Sequence, residues 1–333
     1  MKKVILDVDT GSDDAIAIMT AVLSPELEVL GVCSVNGNRC IDNTTENSLR
    51  VMECLGEEKR VPVYRGAALP LTVSLTKGRR DAVPFQGQKN QREDVHGDFL
   101  PLPKAHLKEE REPAVMWLLQ TLLAAEPKSI SIIAVGPLTN LALLLCSWPE
   151  AAERIDRLYI MGGGWREQNI TPAAEFNFWI DPEAAAIVLN SGCDIVLVPL
   201  DATHAAALPI GLAEELERAG SALARLAAVL MRKRLSGYNN WQPMQDQTTV
   251  PIHDALAVCA AIDETVLKDV RNVHVAVDIG GGAADGQSIC DVEQKNKEAV
   301  PNVHIALSAD AEKFAQMLRK VFCDAKHAGQ QTA

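Results

Sequence analysis

Apolar residues in this chain occur in short runs, separated by stretches where they recur every three or four positions. Short runs bounded by polar turns read as strands buried on both faces, and the longer spacing reads as amphipathic helix. The strand-like runs are residues 4–8, 28–34, 61–64, 129–135, 157–161 and 194–200. Helices are predicted over 15–23, 43–55, 112–125, 139–146 and 182–190, with one long helix over 212–235. Strands alternating with helices imply an α/β fold: a mostly parallel central sheet flanked by helices, Rossmann-like, in one large domain over 1–333.

Two regions break the rhythm. Residues 70–104 form a long polar loop region, longer than ordinary connections. Residues 268–307 read as short strands around Gly280-Gly281-Gly282, a small C-terminal β-hairpin region. Those glycines lack the G-x-G-x-x-G spacing, so a hairpin turn is the reading rather than a nucleotide loop.

Composition narrows the classes. Apolar residues are 47% of the chain and aromatics 4%, so an aliphatic core is expected. The net charge of −12 argues against phosphate-driven nucleic-acid binding and against docking on an anionic membrane. No apolar run approaches the roughly 18 residues of a membrane span. The basic start Met1-Lys2-Lys3 is followed by an apolar run that stops at Asp7, too short for a signal peptide. A cytoplasmic protein is the expectation. The eight cysteines are scattered without a C-x-x-C pair, which fits reduced thiols better than zinc.

In an open α/β sheet, ligands bind beyond the carboxyl ends of the strands. Here those ends carry Asp7, Asp9, Asp13 and Asp14; Asn36 and Asn38; Gly136-Pro137-Leu138-Thr139-Asn140; Gly162-Gly163-Gly164; and Asp201. The densest is Asp7-Val8-Asp9-Thr10-Gly11-Ser12-Asp13-Asp14, in which Ser12 is the expected cap of the helix that follows. Asp13 and Asp14 alone would suit the positive end of a helix. Four carboxylates within eight residues exceed that need, because like charges so close raise one another's pKa unless a cation joins them. Oxygen donors without thiolates or imidazoles suit Ca²⁺ or Mg²⁺. Asp254, at the start of an apolar helix, is either a distant ligand or a helix cap.

These residues resemble the inosine–uridine-type nucleoside hydrolases over nearly the whole chain. The resemblance rests on D-V-D-T-G-S-D-D-A (7–15), V-N-G-N (35–38), A-V-G-P-L-T-N (134–140) and M-G-G-G (161–164). It continues through A-E-F-N (174–177), I-D-P-E-A-A (180–185), P-L-D-A-T-H (199–204) and I-H-D-A (252–255), in the family's order.

The resemblance implies Ca²⁺-dependent hydrolysis of a ribonucleoside to ribose and free base, in purine and pyrimidine salvage. Asp9, Asp14 and Asp254 then resemble the carboxylate ligands of Ca²⁺, with the Val135 carbonyl beside them. Asp9 also resembles the base that deprotonates the attacking water. Asp13, Asn38, Asn169, Glu175 and Asn177 match ribose-binding positions, and His253 matches the leaving-group acid of one branch. His96 resembles a base-side histidine, while Tyr238 and Trp241 could stack on a base or simply pack a helix end. The family's members commonly form homodimers or homotetramers. Thr10 replaces a common proline, and the charged segment 78–98 leaves purine against pyrimidine preference open.

Two other classes remain. Asp7-Val8-Asp9-Thr10 also resembles the first motif of haloacid-dehalogenase-type Mg²⁺ phosphatases, with Asp7 as nucleophile and Asp9 as acid–base. That reading leaves Asp13, Asp14, the E-F-N segment and His253-Asp254 unexplained. A non-catalytic nucleoside or ribose binder is the second.

Overall fold

The computed structural model describes residues 1–72, 75, 97–242 and 244–323. Within them, β1 (Lys2–Val8) leads to α1 (Ser12–Leu23), β2 (Leu27–Ser34), α2 (Ile41–Leu55) and β3 (Val63–Arg65). Then follow α3 (Ala114–Ala124), β4 (Ile130–Ala134), α4 (Thr139–Ser147), β5 (Ile155–Met161), α5 (Phe176–Ile180) and α6 (Pro182–Leu189). The chain continues with β6 (Ile195–Val198), α7 (Leu200–Ala205), β7 (Leu208–Pro209), α8 (Gly211–Ala219), α9 (Ala222–Trp241), β8 (Thr249–Val250) and α10 (His253–Ile262). It closes with β9 (Leu267–Val273), β10 (Val275–Val277), β11 (Ser288–Cys290), β12 (Val303–Ala309) and α11 (Ala311–Cys323).

The main sheet has eight strands in the order β3-β2-β1-β4-β5-β6-β12-β9, parallel except for β9. Strand β1 explains why the fold needs two helical layers. Val4, Leu6 and Val8 enter one core with Ile16 and Ile18 of α1, whereas Ile5 enters the opposite core with Leu118 of α3 and Leu141 of α4. Alternate side chains of a strand face opposite sides, so a strand apolar at successive positions must be covered twice.

Strand order reverses between β1 and β4: the chain leaves β1 toward one layer and β4 toward the other. A crevice opens at such a switch point, beyond the carboxyl ends of the strands. Asp9 follows β1 there and Val135 follows β4.

Two expectations change. The helix expected over 212–235 is two helices, because Gly220 takes a left-handed conformation at φ +82° and ends α8. Ser221 then caps α9, its hydroxyl accepting from the Ala224 backbone N–H at 3.0 Å. In the region 268–307, β10 and β11 form an antiparallel hairpin whose connecting loop contains Gly280 to Gly282, but β9 and β12 extend the main sheet. Among the described residues, no helix is long and apolar enough to cross a membrane.

Candidate active site

The turn after β1 is held by its own acidic residues. Helix α1 begins at Ser12 without a side-chain cap bond, so Ser12 is not the cap. Asp14 does that work: its carboxylate accepts from the backbone N–H of Gly11 at 2.9 Å and of Asp9 at 3.1 Å. Asn38 binds the two acids together, its backbone N–H donating to Asp9 Oδ2 at 2.6 Å and its Nδ2 to Asp14 Oδ2 at 3.2 Å. Glycines make room for Asp9. A Cβ at Gly37 would stand 2.1 Å from Asp9 Oδ2, and one at Gly136 2.9 Å from Oδ1.

Helix α10 delivers Asp254 from the far end of the chain. Asp13, Asp14 and Asp254 bring carboxylate oxygens within 4.8 Å of one another, all three residues buried. Asp9 adjoins this group, and its Oδ1 is buried without a hydrogen-bond partner. Burial first, then neighbouring carboxylates, pushes Asp9 and Asp254 well above the usual range and Asp14 up to about 6. Arg234 of α9, only 3% exposed, answers part of this charge by donating to Asp13 Oδ1 at 2.8 Å. Burial opposes the guanidinium's charge, but Asp13, Tyr238 and Asp254 hold its pKa up.

Asp7 lies beneath the cluster, 1% exposed, and its Oδ1 accepts from Asn140 Nδ2 at 3.1 Å. Burial raises its pKa to about 7. Its Oδ2 is buried without a partner, as Asp9 Oδ1 is, but a phosphatase nucleophile at Asp7 would leave the grouping of Asp13, Asp14 and Asp254 without a role.

The remaining residues fall into two groups. Asn177 Nδ2 donates to the Val135 carbonyl at 2.8 Å, leaving that oxygen a second lone pair. Glu175 caps α5, accepting from the N–H groups of Gly163 at 2.8 Å and Asn177 at 2.9 Å, and burial raises it to about 7. Asn169 is exposed, and its Oδ1 accepts from the Phe176 N–H at 2.9 Å. On the other side, His253 is buried with Nδ1 2.7 Å from Thr203 Oγ1 and Nε2 against the Tyr238 hydroxyl. Tyr238 is buried and raised to about 12 by desolvation. His96, most of the segment 78–98 and the Trp241 side chain lie outside the described residues.

Sequence reading missed Arg234 and Thr203. Arg232-Lys233-Arg234 reads as a charged helix face, and only its place one turn before Tyr238 points inward.

The family model described as "Inosine-uridine preferring nucleoside hydrolase" matches residues 4–316. The chain belongs to this nucleoside hydrolase family. It is 34% identical over 319 residues to the non-specific ribonucleoside hydrolase RihC of Salmonella typhi, covering 96% of this chain and 97% of that protein. The purine-preferring ribonucleoside hydrolase from Gardnerella vaginalis superposes with a TM-score of 0.82 at 27% identity, over 97% of this chain and 98% of that one. A plant nucleoside hydrolase reaches 0.84, also at 27% identity, over 97% and 99% of the two chains. Nucleoside hydrolases are N-glycosyl hydrolases, and this family member carries an aspartate-rich cluster at the expected strand end.

Proposed function

We propose that this protein hydrolyses the N-glycosidic bond of ribonucleosides, yielding ribose and a free nucleobase. The observation that carries this reading is the convergence of Asp9, Asp13, Asp14 and Asp254 at the switch point, buried and only partly offset by Arg234. Carboxylates packed in this way need a cation, and oxygen-only donors with the partnerless Asp9 Oδ1 fit a hard divalent ion such as Ca²⁺. Asp9, Asp14, Asp254 and the Val135 carbonyl would hold it. When bound, such an ion would hold and orient the attacking water and polarise it for a neighbouring base.

The chain's own groups supply the rest. Asp9, at the cluster's edge, takes the proton of the attacking water. Asp13, Asn38, Asn169, Glu175 and Asn177 position the ribose hydroxyls. Their amide and carboxylate dipoles favour the positive charge that grows on the sugar ring as the bond breaks. His253 has Thr203 on one ring nitrogen and the Tyr238 hydroxyl on the other, so a proton given up by His253 reaches the departing base through the tyrosine hydroxyl. His96 and Trp241 are further base-side candidates, and a homodimer or homotetramer in the cytoplasm serving base salvage completes the proposal.

The test is an assay of purine and pyrimidine ribonucleosides, reading released ribose, with and without a calcium chelator. Ribose release abolished by the chelator and restored by Ca²⁺ is the expected result. Unimpaired turnover in chelator, or no ribose from any nucleoside, would overturn the reading.

A further inference from the structure

Besides Asp9 Oδ1, the polar atoms buried without a partner include Nε2 of His204. His204 lies in the last turn of α7, next in sequence to Thr203, with its ring centroid 5.7 Å from that of His253. It therefore neighbours the residue proposed above as the leaving-group acid. Its Nδ1 stands 3.2 Å from Glu167 Oε2, on the loop between β5 and α5.

A carboxylate only accepts hydrogen bonds, so Nδ1 carries the hydrogen and the neutral ring presents a lone pair at Nε2. Burial lowers the His204 pKa, with Glu167 opposing, which keeps that lone pair available at neutral pH. The loop bearing Glu167 is itself tied down. Asp201 accepts from the backbone N–H groups of Trp165 at 2.7 Å and Arg166 at 3.0 Å, and Gln242 Nε2 donates to the Gln168 carbonyl at 2.8 Å. The backbone on either side of this partner is thus fixed.

Nε2 lies on the side of the imidazole away from Glu167. An acceptor buried there without a donor is costly unless a ligand completes it. Asp9 Oδ1 is buried and partnerless in the same way at the sugar side.

We propose that His204 Nε2 accepts a hydrogen bond from an N–H group of the nucleobase, making His204 a specificity-determining residue. This rests on the hydrolase reading above and names its preferred substrates: ribonucleosides whose base keeps a ring or exocyclic N–H, against those alkylated there.

The experiment compares kcat/KM for inosine with 1-methylinosine and for uridine with 3-methyluridine, in the wild type and in His204→Phe, which keeps ring shape but no lone pair. The wild type is expected to favour the unmethylated member of at least one pair by roughly ten- to hundredfold. In His204→Phe that ratio falls toward one, through loss on the unmethylated substrate. Should His204→Phe not fold, Glu167→Leu, at an exposed position, frees the tautomer and is expected to narrow the ratio severalfold. A wild type indifferent to methylation overturns the proposal, as does an unchanged ratio in the variant. Equal losses on both members, the mark of a packing role, also overturn it. If the wild type cleaves none of the four, the hydrolase reading has failed separately. Titration with hypoxanthine and 1-methylhypoxanthine then decides, equal affinity overturning the role of His204 and tighter hypoxanthine binding supporting it.

Discussion

The two ends of the central strands treat charge in opposite ways. At the amino ends, Arg157 bridges Asp194 and Glu264, its Nη1 2.7 Å from Glu264 Oε1. Tyr159 donates to the same Glu264 oxygen at 2.6 Å, and Lys2 Nζ reaches the Tyr159 hydroxyl at 3.1 Å. Burial pushes Glu264 up, yet Tyr159 and Arg157 hold it below its ordinary value. At the carboxyl ends, burial and repulsion win, and Asp9, Asp14 and Asp254 are all raised. A network that neutralises itself needs nothing from outside and serves the fold. A cluster left with surplus negative charge needs a cation and serves chemistry. Both ends are rich in polar groups, so the sign balance separates them where polarity alone cannot.

The contrast is broken most sharply by Asp9→Ala, which is expected to lower turnover by about a thousandfold or more and to weaken Ca²⁺ binding. Near-normal kcat with unchanged calorimetric affinity would leave the carboxyl-end cluster without its chemical role. His253→Ala comes next: a loss of roughly a hundredfold on nucleosides with poor leaving bases, but far less on a nitrophenyl riboside, whose leaving group needs no proton. Equal losses on both substrates would remove His253 as the acid.

A smaller effect sharpens the electrostatics. A carboxyl whose folded pKa is raised binds more protons in the native than in the unfolded state between its ordinary and raised values. Its contribution to stability is therefore complete at low pH and lost as pH climbs through that window. For Asp14 the window runs from its ordinary value to about 6, and a cation competes with the same protons. The gain in Tm on adding Ca²⁺ to metal-free protein should grow from about pH 5 to pH 7.5, as the raised carboxyls ionise. A gain that shrinks with pH would contradict the cluster's role. The smallest effect belongs to the amino end. Arg157→Met should cost about 1 kcal/mol in urea unfolding while kcat/KM stays within about twofold. A large activity loss there would erase the distinction between the two ends.

Much of the acidic cluster was readable because it is local. Strand, turn and helix start are contiguous, so Asp9, Asp13 and Asp14 are brought together by a few backbone dihedrals whatever the rest of the chain does. Asn38 and Val135 follow the same logic, each lying just past a strand end. Legibility fails where a choice depends on distant partners. The break at Gly220 was hidden because apolar periodicity runs through it, and one glycine within a helix costs only about 1 kcal/mol. Strands β9 and β12 looked like part of a separate hairpin because nothing local says that β12 will pair with β6. Arg234 looked like its exposed neighbours until burial distinguished it.

The order of apolar runs and helical stretches, read one residue after another, determined the α/β class and the strand end where the acids gather. A buried strand and an amphipathic helix each write their own short period into the chain. Tertiary structure decided that Asp254 joins Asp13 and Asp14, that Arg234 offsets one of them, and that His204 faces Glu167 and leaves Nε2 without a donor. These are matters of through-space distance and solvent exclusion, which come into being only when segments far apart in the chain pack together.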